Sequence, residues 1–105
     1  MKGIYETVEF KQSFEDIESC LDSIVAMLNK NEKAAIVFGV NEEGKILDVD
    51  IDEDIIEKIK TSINRIFPKV EPVLSVKNFQ GKDVLVLFVE DFGFRDNKKS
   101  LISLR

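Results

Sequence analysis

Polar and apolar positions alternate along Glu6–Lys11, with Val8 and Phe10 on one side and Thr7, Glu9 and Lys11 on the other. That period predicts a short strand. Ser13 is a suitable helix N-cap, with Glu15 and Asp16 placed for the first turn, where the helix dipole favours anions. Phe14, Ile17, Leu21, Ile24, Val25 and Leu28 then recur at helical spacing, predicting an amphipathic helix over 13–29. Cys20 lies beside this stripe and is expected to behave as a small buried hydrophobe.

Ala34–Val40 is a continuous apolar run and reads as a central strand covered on both faces. Asn41-Glu42-Glu43-Gly44 reads as a hairpin turn, and Leu47, Val49 and Ile51 alternate on an expected returning strand. Asp52 suits the cap of a second helix over 52–66, whose stripe is Ile56, Ile59, Ile63 and Ile66 and whose end is set by Pro68. Val70–Phe79 and Val84–Val89 read as strands joined at Gln80-Gly81, and Leu101–Leu104 as a last short strand. The expected order is β-α-β-β-α-β-β with one further strand. This is an α+β fold in which two helices cover a mixed, mostly antiparallel sheet. Residues 1–105 are expected to form a single domain, the N-terminal module of a longer protein.

Composition narrows the chemistry. The chain has no His and one Cys, which excludes His-assisted nucleophiles, His-ligated zinc, Cys-rich zinc sites and an internal disulfide. No apolar run approaches the roughly 20 residues of a membrane helix, and the start lacks the apolar stretch of a signal peptide. A cytoplasmic location without membrane contact is expected. The net charge is −5, unevenly spread. Residues 1–54 hold fourteen acids and five bases, whereas residues 55–105 hold six acids and ten bases. The acidic total opposes strong non-specific DNA binding, while the second half can still build a basic face.

No phosphate-binding glycine loop is present, and Asp48–Asp54 lacks the central Gly and closing Glu of a calcium loop. Phe79, Phe92 and Phe94 stand near Lys77, Arg95, Lys98 and Lys99 in sequence, a mixture able to stack on unpaired bases. Lys82 completes the basic set. Glu9 and Lys11 share one side of the first strand, and Glu42 sits in the turn after the central strand. If those strands are neighbours, two carboxylates and an ammonium converge, with a surface salt bridge as the simpler alternative.

Gly3–Lys11 reads GIYETVEFK, Phe38–Gly44 reads FGVNEEG, and Ile66–Pro72 reads IFPKVEP. With AMLN at Ala26–Asn29 and the apolar run Val84–Val89, these pieces resemble, in order, the Schlafen-type AlbA-like domain, also called a divergent AAA ATPase domain. The resemblance implies the α+β fold and contact with nucleic acid. Related Schlafen domains cut RNA with two acids around an E-F-K segment and a third after a G-V pair. Carried over, these positions are Ile4, Glu9 with Lys11 beside it, and Glu42. Ile4 is no metal ligand, Asn41 replaces an Asp, and the usual Gly-Gly pair is missing around Glu32-Lys33. Glu6 would substitute for the missing acid only through a bulge.

The expected function is therefore a regulatory, for instance transcriptional, module that binds DNA or RNA without catalysis and without a cofactor. Lys77, Lys82, Arg95, Lys98 and Lys99 are its expected contacts. A degenerate protein-interaction or homodimerisation domain is the alternative. A nuclease using Mg²⁺ or Mn²⁺ at Glu9 and Glu42, with Lys11, ranks behind both.

Overall fold

The computed structural model describes residues 8–15, 17–31, 33–67 and 69–90, and the backbone of 103 and 104. Its elements are β1 (Val8–Lys11), α1 (Ile17–Asn31), β2 (Lys33–Phe38), α2 (Glu53–Ile63), β3 (Ile66–Phe67), β4 (Glu71–Phe79), β5 (Lys82–Glu90) and β6 (Ser103–Leu104). Four strands form one sheet in the order β1-β2-β5-β4. β1 runs parallel to β2, and the other two pairings are antiparallel. β3 and β6 form a separate antiparallel pair. The α+β class, the mixed sheet and the two helices are as expected.

The parallel β1–β2 pair needs a crossover, and α1 supplies it. Ile17, Cys20, Leu21, Ile24 and Leu28 of α1 are buried with Ala34, Ile36 and Phe38 of β2 and Leu85, Leu87 and Val89 of β5. Ile59 and Ile63 of α2 enter the same core. Each fully buried large aliphatic contributes about 1.5–3 kcal/mol of transfer free energy, so this one layer carries most of the stability. Glu18 of α1 pairs with Arg65, just past α2, and ties the two helices together.

Four sequence expectations are corrected. The first helix begins at Ile17, not Ser13, because Ser13 Oγ accepts the N–H of Glu15 only two residues on and closes a turn instead of a helix. Phe14 still reaches the core, its ring centroid 5.0 Å from that of Phe38. The second helix ends at Ile63, where Asn64 and Arg65 donate back to Lys60 and Ser62. Ile66 and Phe67 are then extended, as suits the residues ahead of Pro68, and pair with β6.

The returning strand over Leu47–Ile51 does not form. A single bridge, Val40 to Ile46, is all that follows the Asn41–Gly44 turn, and Asp48 sits at φ 56. The element order is consequently β-α-β-α-β-β-β-β. Finally, β2 is covered by helices on one face only. Ala35 and Val37 on its other face are half-buried, as are Val86 and Phe88 beside them on β5.

Two turns are as read. Asp52 caps α2, its carboxylate accepting the N–H of Ile55 at 2.9 Å. Gln80 and Gly81 both have positive φ, the geometry that matches the twist of a two-residue hairpin.

Candidate nucleic-acid interface

The strand register divides the sheet into two unlike faces. Glu9 aligns with Ile36 and Lys11 with Phe38, so these two polar residues stand on the helix side of β1. Phe10 aligns with Val37 and stands on the open side, 53% exposed. Val86 lies beside Val37 in the next strand, and Ser75 beside Val86. Among the described residues no helix covers this face.

The β4–β5 hairpin places Lys77, Phe79 and Lys82 on the same open side. Lys77 and Phe79 are two apart on β4, and Phe79 pairs directly with Lys82 across the turn. Phe79 is 49% exposed, and both lysines are exposed. Asn78 fixes the hairpin end, accepting the N–H of Gly81 at 3.1 Å and donating to Asp83 at 2.8 Å. Arg95, Lys98 and Lys99, the other expected contacts, lie outside the described residues, as do Phe92 and Phe94.

Between Phe10 and Phe79 the face sinks into a cup of about 330 Å³. Val37, Val84 and Val86 form its floor, and Val40, Gly44 and Ile46 one wall. That wall exists because the 40–46 loop folds over the sheet end. The N–H groups of Gly39 and Val40 both donate to the Lys11 carbonyl, Leu47 donates to the Gly39 carbonyl, and Asn41 Oδ1 accepts from Glu43 and Lys45 at 2.9 Å each. The cup and the role of Phe10 escaped the sequence reading. The available signal was β2, apolar at every position from Ala34 to Phe38, which leaves the open face apolar too.

The acids carried over by resemblance are only partly gathered. Lys11 Nζ lies 3.7 Å from Glu9 Oε2, a buried oxygen that accepts no hydrogen bond from the described residues. Lys11 also lines a separate cleft of about 230 Å³ with Phe10, Gln12, Ser13 and Glu42. Lys11 thus touches both acids' surroundings, and among the described residues Glu42 alone supplies a carboxylate to the cleft. Among the described residues no three His, Cys, Asp or Glu side chains gather to hold a metal ion. Ile4 and Glu6 lie outside the described residues.

A small α+β domain with an open apolar sheet face and a polar cleft at the end of β1 is the class this architecture defines. The family description Schlafen, AlbA_2 matches residues 5–102, and the chain belongs to that family. A search of curated proteins found no match. Seventeen chains of solved structures match. One is the DIP2311 protein from Corynebacterium diphtheriae, to which this chain is similar with a TM-score of 0.60 at 22% identity. The likeness covers 84% of this chain and 21% of that one, so the chain spans about a fifth of that protein's length. Among the described residues no helix is long and apolar enough to cross a membrane.

Proposed function

We propose that this chain is a nucleic-acid-binding regulatory module that does not cleave what it binds. The observation that carries this reading is the placement of Lys77, Phe79 and Lys82 on one exposed sheet face, beside the apolar cup. Two ammonium groups flanking an exposed ring match a phosphate backbone with a base between its phosphates. Arg95, Lys98 and Lys99 follow β5 in sequence and would add to this charge. With a net charge of −5 the chain neutralises few phosphates, so binding is weak and salt-sensitive. The described acids favour the absence of catalysis: Glu9 is held against Lys11, and Glu42 is the one carboxylate in its cleft among the described residues. The module works in the cytoplasm, alone, as a homodimer or within a larger chain.

A protein-interaction or dimerisation role is the second reading, and Val73, 56% exposed on the same face as Phe10, favours it. Amide NMR separates the two. Titration of the labelled protein with a short mixed-sequence oligonucleotide shifts Lys77–Val86 if nucleic acid binds there. Shifts restricted to α1 and α2, or none, refute the proposal. Concentration-dependent shifts on the open face without any oligonucleotide support the second reading.

A further inference from the structure

We infer that the cup between Phe10 and Phe79 accepts one unstacked nucleobase, so that the chain selects single-stranded over double-stranded nucleic acid. The inference rests on the proposed nucleic-acid reading and names the substrate class of that same face. The two rims are aromatic rings left about half exposed to water, at 53% and 49%. Rings in that state gain most from a flat partner that covers them.

The floor, Val37, Val84 and Val86, offers no side-chain donor or acceptor to read the hydrogen-bonding edge of a paired base. What it offers, through the half-buried Val37 and Val86 above a buried Val84, is an apolar surface for a ring that has left its stack. A volume of about 330 Å³ lies at the low end of ligand pockets, which run from about 300 to 1,000 Å³. That suits one ring system and is too small for a helix or a duplex groove. An open four-stranded sheet with exposed aromatics and helices behind is a known platform for stacking splayed bases.

Charge sets the path of the backbone. Lys77 and Lys82 stand on the hairpin side of the cup, while Glu42 and Glu43 occupy the loop on the Gly44 side. Phosphates are drawn along the hairpin and repelled from the loop. Because the described residues bring no polar side chain to the cup to meet a 2′-hydroxyl, ribose and deoxyribose are not distinguished.

The test is fluorescence anisotropy at low salt with four probes of one length: a DNA single strand, the same sequence as RNA, the same DNA strand made wholly abasic, and the DNA duplex. DNA and RNA single strands are expected to bind equally. Each should bind about 5- to 150-fold tighter than the abasic strand, the range that stacking of one base on an aromatic side chain supplies. Phe79→Leu, at a half-exposed position, should lose most of that advantage. A thermal melt confirms that the variant is folded, and the abasic comparison needs no variant at all. Equal binding of intact and abasic strands, with both weakened in a Lys77→Ala/Lys82→Ala variant, overturns the cup assignment and leaves the nucleic-acid reading standing. Failure of all four probes to bind overturns both.

Discussion

Asp48 Oδ1 accepts the backbone N–H of Asp83 at 3.0 Å, joining positions 35 residues apart. Asp83 follows the first residue of β5, beyond the last β2 residue that pairs with that strand, so its N–H would otherwise lack a sheet partner. Asp48 reaches it from φ 56, a backbone region that Asp and Asn tolerate better than most residues. Asp48→Ala loses the acceptor and keeps the strain, and should cost roughly 1–3 kcal/mol. Asp48→Asn keeps both acceptor and tolerance and should stay near the parent. Chemical denaturation of the two variants measures the difference.

Gly39 ends β2 at φ 104, and a Cβ there would meet Val49 Cγ2 at 3.0 Å. Gly44 also has positive φ, but a Cβ would meet nothing within 4 Å. Both alanine variants carry the left-handed backbone penalty of about 1–2 kcal/mol, and only Gly39→Ala adds crowding. The melting temperature should therefore fall further for Gly39→Ala than for Gly44→Ala. The reverse order would mean that Val49 yields freely.

Glu9 and Lys11 predict a negative result. Incubation with transfer RNA and Mg²⁺ or Mn²⁺ should leave the RNA intact, since the one carboxylate that the described residues bring to the cleft does not by itself hold a cation against the nucleic acid. Glu9→Gln should change stability by less than about 1 kcal/mol, because its partner lies at 3.7 Å and both side chains are partly exposed. Cutting by the parent that disappears in Glu9→Gln would make the chain a nuclease.

Much of the fold was legible because local chemistry and burial agreed. The α1 stripe from Ile17 to Leu28, the Asp52 cap and the Gln80-Gly81 turn each carry a signal complete within a few residues. What failed depended on distant partners. The alternation of Leu47, Val49 and Ile51 satisfies a strand pattern, yet the chain there is shaped by Gly39 and by Asp48 reaching Asp83. In the candidate site, Lys77, Phe79 and Lys82 were each named from the sequence, but their common side of the sheet follows only from the strand register across the two-residue turn. The cup was not. Its rims come from the two edge strands and its wall from a loop, and on β1 the usual pattern is inverted, with Phe10 outward and Glu9 and Lys11 toward the helices.

The slope of binding against salt reports directly whether Lys77 and Lys82 meet phosphates. Affinity for a single strand is measured between about 50 and 200 mM salt for the parent chain and for Lys77→Ala/Lys82→Ala, a range over which counterion release is plainly read. Each phosphate neutralised on a single strand contributes about −0.7 to the slope of log K against log salt, so removing two contacts should make it shallower by about 1.4. A parent that binds at low salt with this loss of slope in the variant is the result predicted. A parent that does not bind at about 50 mM salt, or a variant whose slope equals the parent's, would contradict an interface built on Lys77 and Lys82.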